Sequence, residues 1–330
     1  MPLSHLPHHS ITPTLWEAAI SSTPHHPIMP TPETLQRKIK SAEELQSIVK
    51  TMKALAAVSI RQYENAVVSL AEHSRALAMG LQILMINNPD ALIAQRPSRP
   101  QRLGIVVFGS DQGMCGRFNQ QLVESIVNRL ERLRRAHLLQ GNTAFSPALL
   151  VVGSRIADGL LAADQLVEEY LPVPGSIDGI TPLVQRIVLQ LEAWRQTGQV
   201  DHIWVFHNRP AGGTVSTPTL LQLFPLSYLY LHKLQQQPWP SRCRPQVTMA
   251  RDRLFSALFQ QHFFIGLYRA CAESLASENA SRLASMQIAE KNIEERLSDL
   301  KVTFQQQRQT AITEELLDIV SGFEALAQDP

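Results

Sequence analysis

Two long stretches of the chain repeat apolar residues at the seven-residue spacing of a coiled-coil helix. The first, from Glu33 to Asn88, contains no proline and a single glycine. Steps of seven residues from the first leucine meet only apolar or amphipathic side chains, at Leu35, Ala42, Val49, Ala56, Tyr63, Leu70, Leu77 and Leu84. A companion row from Ile39 has polar gaps at Gln46, Lys53 and Ser74. Heptads sustained well past 25 residues predict a coiled coil rather than an ordinary globular helix.

The second stretch follows Pro245 and contains no further proline before Pro330. Its apolar residues recur at spacings of three and four, at Leu283, Met286, Ile293, Leu297, Leu300 and Phe304, and onward through Ile312, Leu316, Ile319, Phe323 and Leu326. A helix of this length cannot fold back into a compact domain without a break. We therefore expect it to pair antiparallel with the first long helix.

The middle of the chain changes period and predicts a small α/β sheet domain. Apolar runs suited to strands occur at 103–108, 148–152, 167–173 and 202–207, with a further candidate at 216–226. Helical stretches near 118–136, 155–163 and 181–196 separate them, as expected for strands joined by helical crossovers. The residues from Gln235 to Pro245 are typical of a linker.

These patterns divide the chain into four segments. We predict a disordered tail over 1–32, a coiled-coil helix over 33–90, an α/β domain over 101–235 and a second coiled-coil helix over 246–328. The tail holds seven of the 21 prolines and five of the 11 histidines but no lysine or arginine. Such a composition cannot support a regular hydrogen-bonded ladder or an extensive core.

Composition and charge exclude several functional classes. The chain has 30 Lys plus Arg against 29 Asp plus Glu, which argues against a strongly basic nucleic-acid-binding protein. Its three cysteines, Cys115, Cys243 and Cys271, are widely spaced and suggest neither a disulfide framework nor a metal site. No apolar run reaches the 18 residues that a spanning helix needs. We expect no metal, no cofactor and no nucleic-acid partner.

The most enzyme-like feature is the turn from Gly109 to Gly116, between a predicted strand and a predicted helix. Such turns often cradle phosphate with backbone amides. A P-loop, however, needs Lys-Ser or Lys-Thr after its last glycine, and here Arg117 and Phe118 follow. We interpret the turn mainly as tight strand-to-helix packing, with phosphate binding as the alternative, and Cys115 as a small buried thiol.

Three groups of residues resemble the gamma subunit of F-type ATP synthases, in the order helix, α/β domain, helix. The C-terminal helix carries Glu273-Ser274-Leu275-Ala276-Ser277-Glu278, Arg282, Met286, Asn292, Arg308-Gln309, Ile312-Thr313, Glu315-Leu316 and Ile319-Val320-Ser321-Gly322. The first turn of the α/β domain contributes Ser110-Asp111, Gly113, Cys115-Gly116 and Asn119, and the first helix contributes Ile39, Lys50, Met52 and Ala56-Ala57. The resemblance covers Glu33 to Ala327.

The resemblance implies a non-catalytic central-stalk rotor that couples transmembrane proton or sodium flow to ATP synthesis or hydrolysis. Its implied partners are the alpha and beta subunits, which hold the nucleotide chemistry, the epsilon subunit and the membrane c-ring. The implied location is the cytoplasmic side of the bacterial inner membrane, as a peripheral protein. The residues implied to transmit torque to beta are Lys50, Met52, Arg308, Gln309 and Thr313.

Several positions depart from the family pattern. Val58-Ser59 stands where Ser-Lys usually follows the alanine pair, Arg117 where a glycine is common, and Lys53 alters the charge beside Met52. With the additional tail, these departures suggest a divergent branch, which we identify with the alternative, sometimes sodium-driven, bacterial ATPase type. Two other functions remain open from the residues: a free-standing α/β nucleotide-binding enzyme with helical arms, and a coiled-coil scaffold without energy coupling.

Overall fold

The computed structural model describes residues 31–87, 102–139, 145–212, 215–243 and 245–327. The predicted tail therefore lies outside the described residues except for its last two positions. The described elements, in chain order, are α1 (Pro32–Asn87), β1 (Leu103–Phe108), α2 (Phe118–Leu138), β2 (Ala148–Val152), α3 (Ser154–Ala162), β3 (Glu169–Leu171), α4 (Ile180–Gln196), β4 (His202–Pro210), β5 (Ser216–Phe224), α5 (Tyr228–Gln236) and α6 (Arg251–Ala327).

The strands form one five-stranded sheet in the order β3-β2-β1-β4-β5. The first four strands are parallel, and β5 runs antiparallel to β4 at one edge. All six residues of β1 are buried, because this strand lies at the centre of the sheet and both of its faces are covered. Ile105 and Val107 pack into the core beneath α2 and α3, whereas Val106 and Phe108 face the core that contains α4, α1 and α6.

The sheet confirms the predicted strand order along the chain, with differences at the element ends. The third strand is shorter than its apolar run, and the fourth continues to Pro210. The candidate fifth strand is present as β5. The helix α5 was not predicted. Two of its residues, Leu231 and Leu234, are buried, so tertiary packing stabilises a helix of about two and a half turns that sequence periodicity does not distinguish.

The predicted heptad row of α1 forms its buried face. Six of its eight positions are buried, namely Leu35, Val49, Ala56, Tyr63, Leu77 and Leu84. Each polar gap in the companion row makes a polar contact with α6. Gln46 Nε2 donates to Glu294 Oε1 over 3.2 Å, Lys53 pairs with Glu290, and Arg269 Nη2 donates to Ser74 Oγ over 3.2 Å. Because α6 partner numbers fall as α1 numbers rise, the pairing is antiparallel, as predicted.

The chain divides into two compact units. One extends to Glu43 and resumes at Arg296, and the other comprises Glu44–Glu295. In the first unit, Glu43 Oε1 and Lys301 Nζ form an ion pair at 2.9 Å. In this antiparallel pair, eleven residues before Glu43 is Pro32, the first residue of α1, and eleven residues after Lys301 is Ile312. The first residue of α1 therefore lies opposite Ile312.

From Ile312 to Ile319, the predicted apolar stripe of α6 is present but is not buried. Ile312, Leu316 and Ile319 are 49%, 58% and 60% exposed. The physical reason is length, because α6 has 77 residues and α1 has 56. The described part of α1 ends before it can cover these side chains. Phe323 and Leu326, the last predicted members of the stripe, lie among side chains that the structure does not describe.

Candidate functional site

The segment Glu273–Glu278 fastens α6 to the sheet. Ser274 Oγ donates a hydrogen bond of 3.0 Å to the carbonyl of Phe108, the last residue of β1. Ser277 Oγ donates one of 3.1 Å to the carbonyl of Asn208 in β4. Both serines are buried, so they pair strand carbonyls that would otherwise lose their hydrogen bonds to water. Sequence reasoning missed this role, although two serines three residues apart on an otherwise apolar helix face were a usable signal.

A second polar contact holds the same helix to β4. His207 Nε2 lies 2.8 Å from Glu273 Oε2, and Arg209 Nε lies 3.6 Å from the same oxygen. Burial raises the pKa of Glu273, but the hydrogen bond and charge of His207, with the charges of Arg209 and Arg269, outweigh it. The net pKa therefore lies below the usual value of a glutamate. The carboxylate stays ionised and structural at neutral pH.

The third polar contact is the pair of Glu278 and Arg282, one helical turn apart. Arg282 Nη2 donates to Glu278 Oε1 over 2.6 Å, and the side chains are only 10% and 7% exposed. Burial, together with the charge of Asp111, raises the pKa of Glu278 against the opposing effect of Arg282. A polar cavity of about 200 Å³ beside the pair is lined by Tyr63 and Asp111.

The glycine-bearing turn after β1 is tied down by the protein itself. The amide of Gly109 donates to the carbonyl of Val152 and that of Ser110 to Asn119 Oδ1, over 2.8 and 3.1 Å. The Asp111 carboxylate accepts three hydrogen bonds. The donors are the amide of Ser154 after β2, the hydroxyl of Tyr170 in β3 and the amide of Val173 after β3. The amides of Gly109 and Ser110, which a phosphate would need as donors, are already hydrogen-bonded within the protein. The neighbouring Asp111 carboxylate is negatively charged and would repel a phosphate. The turn thus packs strand against helix, as the first interpretation holds.

Cys115 lies in this turn as a buried thiol. Its side chain is 2% exposed, and its Sγ lies 3.7 Å from Ser110 Oγ. Burial raises the pKa of the thiol, against a smaller opposing effect of the contact with Ser110. A protonated, inaccessible thiol is a poor nucleophile, so the residue serves packing.

Two of the five predicted partner-contact residues, Lys50 and Met52, lie on α1 in the Glu44–Glu295 unit. Lys50 is exposed and Met52 is half-buried. The next residue, Lys53, forms an ion pair with Glu290 of α6. Lys53, whose charge departs from the family pattern, therefore points toward α6 and is neutralised there. Lys50 is the exposed cation on this turn of α1.

The other three, Arg308, Gln309 and Thr313, lie on α6 in the unit that contains Arg296. All three are exposed. Thr313 Oγ1 donates to the carbonyl of Gln309 over 2.9 Å, which places these two residues one above the other on the helix. Within the described residues no ion pair involves Arg308, so its guanidinium is available to an acidic partner.

The described parts of the chain lack two features of other protein classes. They contain no helix that is both long and apolar enough to cross a bilayer. They also contain no group of three or more His, Cys, Asp or Glu side chains arranged to hold a metal ion.

Comparison with known proteins decides the family. The family model described as ATP synthase matches residues 31–326, nearly the whole of the described chain. Curated relatives that match at full length carry the name ATP synthase gamma chain. The chain belongs to the F-type ATP synthase gamma-chain family. Gamma chains are non-catalytic subunits that form the rotor of the synthase, which agrees with the occupied turn after β1 and argues against a free-standing nucleotide-binding enzyme.

The relatives of this gamma chain are distant in sequence but match along its length. The gamma chain of Polynucleobacter necessarius is 25% identical over 301 residues, covering 90% of this chain and all of that one. The gamma chain of Syntrophus aciditrophicus is 26% identical over 297 residues, covering 89% and 98%.

Solved structures agree in fold. A chain of the rotor of the Euglena gracilis mitochondrial ATP synthase has a TM-score of 0.55 at 14% identity, with 85% of this gamma chain and 98% of that chain covered. A chain of the Tetrahymena thermophila central stalk and c-ring has a TM-score of 0.50 at 23% identity, with 73% and 99% covered.

Proposed function

We propose that this gamma chain transmits torque through two exposed helix surfaces that contact the catalytic beta subunits. One surface comprises Arg308, Gln309 and Thr313 on α6, and the other comprises Lys50 and Met52 on α1. The observation that carries the proposal is the family match over residues 31–326, combined with the exposure of Lys50, Arg308, Gln309 and Thr313; Met52 is half-buried beside Lys50.

The physical mechanism is differential contact. A shaft that presents different side chains to three similar partners stabilises a different conformation in each, by an amount equal to the difference in contact free energy. Exposed cations such as Arg308 and Lys50 suit acidic partner loops, because complementary charge guides encounter and fixes orientation. A shaft of this kind needs no nucleotide site of its own.

The remaining partners follow from the same family role. The alpha and beta subunits would surround the paired helices, while the epsilon subunit and the c-ring would contact the α/β domain. The chain would then be held peripherally on the cytoplasmic side of the bacterial inner membrane. The coupling ion, proton or sodium, is a property of the membrane subunits, and the alternative bacterial ATPase type remains our prediction for the branch.

The test is a double substitution, Arg308→Ala with Gln309→Ala, in the complete synthase reconstituted into vesicles with its membrane sector. We expect ATPase activity coupled to ion movement to fall several-fold, with helix content by circular dichroism unchanged. Arg296→Ala is the matched control, since it removes an exposed arginine from the same helix, about 18 Å away and roughly a third of a turn round. Unchanged coupling in the double variant would remove these residues from the torque path.

A further inference from the structure

A mainly apolar groove of about 710 Å³ lies at the end of the helix pair where α1 ends and α6 begins. Helix α1 contributes Met79 and Ile83, α6 contributes Leu254, and the segment that joins α5 to α6, residues 237–250, contributes most of the remaining lining. All of these residues belong to the Glu44–Glu295 unit. Exposed apolar surface framed by polar residues marks a contact site for a protein, a membrane or a ligand. The charges around the groove indicate which of these it suits.

The joining segment is fastened to α1, although its described residues lie in neither helix nor strand. Gln82 Nε2 of α1 donates a hydrogen bond of 2.6 Å to the carbonyl of Gln237, at the start of the segment. Further along, Val247 and Met249 line the groove and remain 39% and 49% exposed. The segment therefore offers long apolar side chains to the exterior from an anchored but irregular backbone.

The rim of the groove is cationic. Residues 239–253 include four arginines and one aspartate, a net charge of +3, whereas the whole chain carries +1. Arg242 and Arg253 are exposed, and each is next in sequence to a residue that lines the groove; the same holds for Arg75 on α1. None of these three guanidinium groups forms an ion pair with a described residue. Glu72, one turn before the lining part of α1, offsets at most one of these charges.

An apolar groove with a guanidinium rim suits a molecule that is apolar at one end and anionic at the other. Guanidinium groups pair with phosphate oxygens through two parallel hydrogen bonds. A partner helix or strand docks through a regular row of side chains, which the irregular joining segment does not provide. A lipid needs no such register. Arginines clustered beside apolar side chains, with a tryptophan such as Trp239 in the lining, are typical of surfaces that contact anionic membranes.

We propose that the groove and its rim bind an anionic phospholipid of the membrane surface. Arg242 and Arg253 pair with the lipid phosphate, while Val247 and Met249 contact the acyl region and the groove accommodates an acyl chain. The choice of a lipid rests on the proposed location of the chain at the membrane. It does not rest on the torque-transmitting surfaces, so lipid binding can fail while torque transmission stands, and the reverse.

The test is flotation of the full-length chain with two kinds of vesicle, phosphatidylcholine alone and phosphatidylcholine with about one-third phosphatidylglycerol. We expect saturable binding to the anionic vesicles, at least about tenfold tighter than to the neutral ones, because each arginine near an anionic surface contributes a factor of about five. At about 0.5 M salt the difference should largely disappear, since the charges are screened.

A first pair of variants tests the charges. Arg242→Gln with Arg253→Gln should weaken binding to anionic vesicles by about tenfold or more. The matched control is Arg61→Gln with Arg296→Gln, which makes the same change of charge at exposed positions of α1 and α6 outside the groove. The control should bind within about twofold of wild type. All four positions are exposed, so helix content by circular dichroism should be unchanged.

A second pair tests the apolar contact. Val247→Ser with Met249→Ser keeps the charge and should weaken binding to anionic vesicles about 3- to 10-fold, because apolar surface no longer leaves water. Ile312→Ser with Leu316→Ser removes two exposed apolar side chains from the far part of α6. This control should leave the preference for anionic over neutral vesicles unchanged.

Two results would overturn the proposal. One is equal binding, or no binding, of the wild-type chain to the two kinds of vesicle, which would leave a protein partner as the occupant of the groove. The other is a loss in the Arg61 and Arg296 control as large as that in the Arg242 and Arg253 variant, which would reduce the effect to overall charge.

Discussion

Replacing Asp111 by Asn should loosen the loops at the carboxyl ends of β2 and β3. The Asp111 side chain accepts three hydrogen bonds: Oδ1 from the Ser154 amide at 2.7 Å and the Tyr170 hydroxyl at 3.0 Å, and Oδ2 from the Val173 amide at 2.8 Å. An asparagine keeps one acceptor oxygen. Its NH₂ group would then face the Val173 N–H, donor against donor.

The magnitude follows from the lost acceptor. A half-buried amide left without its partner costs about 1–3 kcal/mol, and loss of the negative charge also weakens the two bonds that remain. We therefore expect Asp111→Asn to reduce the local free energy of opening by about 2–4 kcal/mol, and Asp111→Ala by more, since it removes all three acceptor contacts.

Amide hydrogen exchange measures this effect residue by residue. The Val173 amide should exchange at least about tenfold faster in Asp111→Asn, because 1.4 kcal/mol corresponds to a factor of ten. The control is Asp164→Asn, which makes the same chemical change at an exposed residue with φ of 55°, a conformation that asparagine tolerates. Wild-type exchange at Val173 in Asp111→Asn would refute the reasoning.

Three further predictions concern other parts of the chain. Because the pKa of Glu273 is lowered on folding, its contribution to stability is present above the unfolded pKa of about 4.3 and is lost as pH falls through the lower folded value. Urea unfolding between pH 6 and 3 should show this loss of stability. The variant Glu273→Gln should flatten that part of the pH profile. Gly153→Ala should cost about 2 kcal/mol or more in thermal unfolding, since φ is 115° and the added Cβ would lie 2.8 Å from the Ser110 backbone, whereas Gly175→Ala, with open space around it, should cost less than about 0.5 kcal/mol. Lys50→Glu should weaken association with the alpha and beta subunits at low salt, and the difference from wild type should shrink at about 0.5 M salt, where charges are screened; equal affinity at low salt would count against a contact at this position.

The heptad row of α1 was readable from the sequence because each of its positions meets the same physical requirement. A seven-residue repeat keeps one face of a helix toward its partner, so apolar residues from Leu35 to Leu84 had to share a buried side. The parallel strands were equally readable, since a fully buried strand such as β1 is a continuous apolar run.

The remaining features depend on pairings that a single sequence does not contain. The stripe at Ile312 and beyond repeats correctly, but whether it is covered depends on where the facing helix begins. The hydrogen bonds of Ser274 and Ser277 depend on which strand carbonyls lie opposite, and the partner of His207 is 66 residues away in the chain. The candidate partner surfaces came from a family resemblance, because exposed side chains on a helix leave no periodic trace of their function.

The uncovered end of α6 bears on the life of the chain before assembly. Ile312, Leu316, Leu317, Ile319 and Val320 are all about half exposed or more, along roughly two turns of helix. An exposed apolar surface of this kind promotes self-association unless a partner covers it. Copies of this chain made in excess of the other subunits would therefore self-associate before assembly. Their synthesis must be balanced with that of the other subunits, or the unassembled copies must be degraded rapidly.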